Sequence, residues 1–273
     1  MSGDPVPPRP AAAEPGEASK MEDSAERFHA LMVSCFHAGG RPEDGRELGL
    51  IERLFWEGDG PSVHKWHHYL PLYDRYFGPF RGKPARFLEI GVFGGGSLWM
   101  WRRFFGPGAT IFGLDIDPAC AAFDGNDAQV RIGSQDDPAF LARVVEEMGG
   151  IDLVLDDGSH DSGHIRASLA ALFPRLSEGG LYMIEDLHAA YWPHYSGGYG
   201  QPQSFMSDVK AMIDDLHHWY HDRGELIAAT AGQLGGLHVH DSITILEKRA
   251  ARAPRHSVRR AGPQYRGKRP GGG

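Results

Sequence analysis

The sequence holds only two cysteines, Cys35 and Cys120, far apart and outside any CxxC or Cys/His spacing. That excludes a disulfide framework and a zinc knuckle. No stretch approaches the ~18–20 uninterrupted apolar residues of a membrane helix, so a soluble chain with no membrane partner is expected. The opening Met1-Ser-Gly-Asp-Pro lacks the basic start and apolar middle of a signal peptide, and a cytoplasmic location is the corresponding expectation. Positive charge is short: 28 Lys and Arg face 36 Asp and Glu, and the formal charge of -8 argues against nucleic-acid binding. The exception is the end of the chain, where Lys and Arg gather from Lys248 onward with almost no acid. No internal repeat is present.

What is there suits one large α/β domain with extensions, since 273 residues at 41% hydrophobic content are enough for a single sizeable core. Residues 1–20 are rich in Pro, Ala, Gly and Glu, and residues 250–273 in Arg, Pro and Gly, so both are expected to be disordered tails. Between them, residues 21–84 read as a helical extension and 85–249 as the main domain. Apolar residues recur at three- and four-residue spacing over Asp23–Phe36 and Glu47–Trp56, as on helices covering one face of a core.

The main domain alternates short apolar runs with helical stretches, the pattern of a parallel sheet. The runs are Arg86–Ile90, Thr110–Leu114, Gln129–Ile132, Ile151–Leu155 and Leu181–Ile184, and the intervening helices fall at Ser97–Phe105, Pro138–Met148 and Ser162–Leu176. A long helix is expected over Ser204–His221. Two further strands, Glu225–Thr230 and Leu237–Glu247, have too short a link for a parallel crossover, so they pair antiparallel at the sheet edge. The predicted fold class is α/β: a doubly wound, Rossmann-like, mostly parallel seven-stranded sheet with an antiparallel edge hairpin and short N-terminal helices.

Arg86-Phe-Leu-Glu-Ile-Gly-Val-Phe-Gly-Gly-Gly-Ser97 is a strand, a glycine turn and a helix start, the place where open α/β sheets bind nucleotide-like ligands. A dinucleotide fingerprint needs glycine where Phe93 stands. Glu89 at the strand end would repel a diphosphate but suits a ligand bearing an ammonium and a sulfonium charge, which favours S-adenosylmethionine. Asp115, ending the second strand, can accept both ribose hydroxyls, and Gln135 and Asp136 after the third can reach the adenine amino group. The cofactor set read here is Glu89, Gly91, Gly95, Ser97, Asp115, Gln135, Asp136 and Asp156. The plainer alternatives are an Asx-turn at Asp115-Ile-Asp117 and a helix cap at Asp136 or Asp137.

The fourth strand runs into Asp156-Asp-Gly-Ser-His160 and the fifth into Glu185-Asp-Leu-His188. Asp157, Glu185 and Asp186 then converge from neighbouring strand ends, and their mutual repulsion calls for a cation, with oxygen ligands favouring Mg²⁺ or Mn²⁺. His160, three residues beyond Asp157, is placed for general-base work. Turns and N-caps for the acids, and a capping role for His160, are the structural alternatives. The aromatic run Tyr191-Trp192-Pro193-His194-Tyr195 reads either as a lid or as packing against the helix that follows.

From about Lys65 to Glu247 the sequence resembles the macrolide and other antibiotic-sugar O-methyltransferases, of the mycinamicin 2''-O-methyltransferase type, which act on rhamnose-like sugars. The matching stretches are Lys65-Trp-His-His-Tyr69, Leu88-Glu-Ile-Gly91 with Gly94-Gly-Gly-Ser-Leu98, Gly113-Leu-Asp-Ile116, Asp156-Asp-Gly-Ser-His160, Ile184-Glu-Asp-Leu-His188 and Leu237-His-Val-His-Asp-Ser242. The resemblance implies Mg²⁺-dependent methyl transfer from S-adenosylmethionine to a sugar hydroxyl of a small-molecule glycoside, by a homo-oligomeric enzyme. It places the metal on Asp157, Glu185 and Asp186 and the base on His160. A catechol-like phenol offers the same pair of oxygens and is the rival acceptor. A nucleotide-binding oxidoreductase is disfavoured by Phe93 and Glu89, and a catalytically silent binding module should have lost part of the Asp157, His160, Glu185 and Asp186 set.

Overall fold

Seven strands form one sheet in the order β3-β2-β1-β4-β5-β7-β6. They are β1 (Arg86–Ile90), β2 (Thr110–Asp115), β3 (Gln129–Ile132), β4 (Ile151–Asp156), β5 (Leu176–Ile184), β6 (Leu234–His240) and β7 (Ile243–Lys248). The first five are parallel, whereas β7 runs antiparallel to both β5 and β6. The computed structural model describes residues 45–257, together with Ala30, residues 33–36 and Arg259. The tail expected over 1–20, most of the one expected over 250–273, and most of the Asp23–Phe36 helix lie outside the described residues. Among the described residues no helix is long and apolar enough to cross a membrane.

Because successive strand residues point to opposite faces, each strand feeds two cores. Phe87, Leu153, Leu155 and Met183 pack under α1 (Leu50–Glu57), α2 (Leu70–Phe77) and α3 (Gly96–Phe105). Leu88, Val154, Tyr182 and Ile184 pack under α4 (Pro138–Met148), α5 (Ser162–Leu172) and α6 (Phe205–Leu216). Each such buried side chain contributes roughly 1.5–3 kcal/mol. The N-terminal helices share this core, with Ile51, Tyr73 and Phe77 in one cluster with Phe87 and Trp101. Helix starts are set by side chains: Asp137 caps α4, Asp161 caps α5 and Ser204 caps α6.

The structure departs from the expected elements in four places. β5 begins at Leu176, so Ser177-Glu-Gly-Gly lies within a strand; the register shifts between Ile151 and Leu153, and a Cβ on Gly180 would press on the Asp152 carbonyl, the close approach that only glycine permits. Helix α6 stops at Leu216 because the buried Asp215 carboxylate accepts the Leu226 and Ile227 amides at 2.6 and 2.9 Å and turns the chain back. Those amides are thereby taken from any ladder, and Glu225–Thr230 is not a strand. The edge hairpin instead comes from the second run alone, turning at Asp241–Ser242. Finally, α2 occupies a stretch for which no specific helix was expected.

β1 lies between β2 and β4, where the winding direction reverses. The carboxyl ends of these strands therefore open a crevice, the usual ligand position in such sheets.

Candidate active site

A cleft of about 430 Å³ occupies that crevice, within the size range of small-molecule sites. It is lined by Gly91, Ser97, Asp115 and Gln135 on one side and by Asp157, His160, Glu185 and Asp186 on the other. Glu89, Gly95, Asp136 and Asp156 do not line it. The two groups of residues expected to hold a cofactor and a metal thus meet in one cavity, and four members of the cofactor set stand behind or beside its wall.

Asp115 organises the glycine turn. Its Oδ2 accepts the Val92 and Phe93 amides at 2.9 and 3.0 Å, and its Oδ1 accepts the Asp117 amide at 2.9 Å. Burial opposes its ionisation, but these backbone donors outweigh burial and hold its pKa below the ordinary value. The Asx-turn is therefore real, and Asp115 still faces the cleft. In a dinucleotide site such turn amides would face a pyrophosphate. Here the Asp115 carboxylate occupies two of them, which leaves those amides unavailable to a pyrophosphate. Gly91 has φ 97°, and a Cβ there would collide with the Asp157 carbonyl. That approach keeps the β1 and β4 ends together.

Glu89 follows the strand alternation onto the α3 face, where Ser97 Oγ donates to it at 2.8 Å and Trp101 Nε1 at 3.0 Å. It is fully buried, and burial pushes its carboxyl up to about 7 against the opposing pull of Lys65, Trp101 and Ser97. A carboxyl whose folded pKa lies above its unfolded 4.5 keeps a proton that the unfolded chain releases. Its contribution to stability is thus full below the unfolded value and is lost as pH rises through the folded one. Ligand-free protein is expected to lose about 1–3 kcal/mol over that window, and Glu89→Gln, which cannot ionise, to lack that loss. Denaturant titrations at acid and neutral pH check this; an unchanged slope in the variant would remove Glu89 as its source.

Asp156 is buried and bonded to Ser168 Oγ at 2.6 Å, Tyr182 Oη at 2.8 Å and Gln135 Nε2 at 3.1 Å. Gln135 Oε1 in turn accepts the Ser159 amide at 2.7 Å. These two residues clamp the Asp157–His160 turn. Asp136 is exposed, receives the Ser134 hydroxyl and lies 3.7 Å from His164. Gly95, with φ 73°, is the N-cap of α3, and its missing Cβ leaves room for Phe123.

The chemical end is built from strained backbone. His160 and Asp186 both have left-handed φ, 60° and 54°, a conformation that persists in non-glycine residues only where surroundings enforce it. Asp186 is enforced by Tyr69, whose hydroxyl donates to Oδ1 at 2.9 Å, which leaves Oδ2 3.7 Å from His160 Nε2. One ligand atom each from Asp157, His160 and Asp186 lies within 4.8 Å of the other two, all half-buried. These oxygen and nitrogen donors, with room for exogenous oxygens in the cleft, fit a hard divalent cation. Glu185 stands apart from that group. It is buried, its Oε1 accepts from Tyr73 Oη, and its Oε2 lies 2.9 Å from Lys65 Nζ, which also bonds Asp157. Burial raises its pKa, Lys65 opposes that rise and Asp157 adds to it.

Composition and spacing do not single out Lys65, Tyr69 or Tyr73; Lys65 and Tyr69 bound the Lys65-Trp-His-His-Tyr69 stretch that carries the resemblance, and Tyr73 lies outside it. None of residues 191–195 lines the cleft, so the aromatic run is not seen as a lid over it, and the bond to the start of α6 comes from Ala190, just before it. Trp192 packs on His188 at 5.1 Å and Tyr195 stands 6.4 Å from His160, while the Ala190 carbonyl accepts from Ser204 at the start of α6.

Residues 88–187 match the family model described as a methyltransferase domain. The chain is 40% identical over 248 residues to the 8-demethyl-8-(2-methoxy-alpha-L-rhamnosyl)-tetracenomycin-C 3'-O-methyltransferase of Streptomyces olivaceus, covering 84% of this chain and 62% of that protein. It is 39% identical over 234 residues to the mycinamicin VI 2''-O-methyltransferase of Micromonospora griseorubida, covering 80% and 55%. Among solved structures, the MycE methyltransferase of the mycinamycin biosynthetic pathway, in complex with Mg, SAH and mycinamycin VI, aligns with a TM-score of 0.63 at 32% identity. That alignment covers 90% of this chain and 67% of the other. The chain spans a little over half the length of these curated relatives.

Proposed function

The chain belongs to the methyltransferase family that contains the antibiotic-sugar O-methyltransferases, and from that premise we propose that it transfers the methyl group of S-adenosylmethionine to a sugar hydroxyl of a small-molecule glycoside, with Mg²⁺ or Mn²⁺. One observation carries this reading. The Asp115 cleft, whose carboxylate disfavours a diphosphate, opens directly onto the Asp157, His160 and Asp186 group at the neighbouring strand ends. The sugar as acceptor rests on the relatives named above.

When bound, S-adenosylmethionine supplies an electrophilic methyl and a divalent cation supplies the charge that acidifies an acceptor hydroxyl. Asp115 would accept the ribose hydroxyls, and Gly91 and Ser97, which line the same cleft, would hold the rest of the cofactor, with Glu89 bonded to Ser97 behind the wall. Asp157 and Asp186 would hold the metal, with Lys65 linking Asp157 to the buried Glu185. His160 Nε2 would take the proton of the acceptor hydroxyl, whose oxygen would gain the methyl as the sulfonium bond breaks and S-adenosylhomocysteine is released. Gln135 and Asp156 keep the His160 turn in place.

Calorimetry tests the cofactor half. S-adenosylhomocysteine should bind and NAD should not, and Asp115→Ala should weaken the former by roughly 1–3 kcal/mol, the scale of a lost charge-assisted hydrogen bond. NAD binding in its place would overturn the assignment. For the acceptor, rhamnosyl glycosides should be methylated and simple catechols should not; the reverse would move the activity to phenols.

A further inference from the structure

Lys65 is a buried ammonium that takes no part in the proton or methyl transfer itself. It lies in the coil between α1 and α2, of which Ser62, Val63, His64, Lys65 and Trp66 form one wall of the cleft. The coil is seated at both ends. A Cβ on Gly96, at the start of α3, would collide with the Ser62 carbonyl, and the Trp66 ring packs on His188 at 5.5 Å. Between these anchors the Lys65 side chain, 4% exposed, reaches inward to Asp157 and Glu185. Tyr73 closes the arrangement, with its hydroxyl on the other oxygen of Glu185 and its ring 5.9 Å from the ammonium.

An ammonium buried this deeply costs several kcal/mol unless paired, and the carboxylates around it repel one another unless compensated. Burial alone would lower the pKa of Lys65, but Asp157, Glu185 and Glu89 reverse this and raise it well above the ordinary value. The pairing has two consequences. It fastens the wall of the cofactor cleft to the ends of β4 and β5. It also occupies Asp157 Oδ2, an oxygen that a divalent cation would otherwise draw on.

Resting on the metal and cofactor reading above, we propose that Lys65 is a positioning residue: a latch that holds the 58–68 coil against the cofactor cleft and, through the same contacts, competes with the divalent cation for Asp157. Loss of the latch should therefore move the two affinities in opposite directions, whereas a loosened fold would weaken both.

The test is calorimetry with S-adenosylhomocysteine and, separately, electron paramagnetic resonance titration with Mn²⁺ alone, on wild type, Lys65→Met and Lys65→Arg. Lys65→Met should bind S-adenosylhomocysteine at least about tenfold more weakly and Mn²⁺ at least about threefold more tightly. Lys65→Arg, which keeps the charge, should stay nearer to wild type in both. Should Lys65→Met unfold because Glu185 is left unpaired, the double variant Lys65→Met, Glu185→Gln removes that charge and should show the same loss of S-adenosylhomocysteine affinity. Unchanged S-adenosylhomocysteine binding in the folded variants, or weakening of both probes in Lys65→Met, would overturn the latch. Wild type that binds neither probe would sink the methyltransferase reading and the latch with it.

Discussion

Methyl transfer to a glycoside is expected to stop in chelator and to return on addition of Mg²⁺, with S-adenosylhomocysteine affinity nearly unchanged throughout. The separation follows from geometry. Asp115 and the glycine turn belong to the β1 and β2 ends, whereas Asp157 and Asp186 project from the β4 and β5 ends. Asp157→Ala and Asp186→Ala should each behave as the chelated enzyme does. A cation at this position is worth several kcal/mol of transition-state charge stabilisation, so turnover should fall by at least about 10²-fold. Asp186→Ala carries a second cost, because the residue sits at φ 54° and aspartate tolerates that conformation better than alanine. Asp186→Asn, which keeps both the conformation and the Tyr69 contact, is the cleaner probe. Full turnover in chelator would remove the metal from the reaction and leave the carboxylates a structural role.

Legibility in the sequence followed how local the physics is. β1, β3 and α4 run over the expected residues, since each is a short apolar or amphipathic run bounded by Gly, Pro or a capping acid. The errors cluster where a distant partner decides. Nothing near Asp215 signals that its carboxylate will take the Leu226 and Ile227 amides, end α6 and cancel a strand. In the site, residues at strand ends were legible as a group because parallel topology brings those ends together. Their orientations were not. Glu89 turns away to Ser97 and Trp101 by the two-residue alternation of β1, and Glu185 is claimed by Lys65 and Tyr73 from a different part of the chain. The sequence pattern shows which acids share an edge, but what the Glu185 carboxylate bonds is decided by partners 112 and 120 positions away.

His160→Ala is expected to lower turnover by about 10²–10⁴-fold, the usual worth of a positioned general base, while binding of Mn²⁺ and S-adenosylhomocysteine stays within about threefold of wild type. The distinction matters because His160 Nε2 lies close enough to Asp157 and Asp186 to serve as a ligand. A ligand and a base fail differently. Loss of a ligand should weaken Mn²⁺ as Asp157→Ala does and be partly rescued by high metal. Loss of a base should leave metal binding intact, show no rescue by metal, and yield a residual rate that climbs with pH as solvent hydroxide takes the proton instead. The choice of variant matters too. With φ at 60°, glycine would relax the strained turn and change the backbone along with the side chain. Alanine keeps the Cβ, and asparagine, at home in that conformation, controls for the turn. Both should show the same loss, because neither supplies an imidazole. A near-normal rate in either variant, with Mn²⁺ still bound, would overturn the role of His160 and leave the oriented approach of acceptor to methyl as the main source of catalysis.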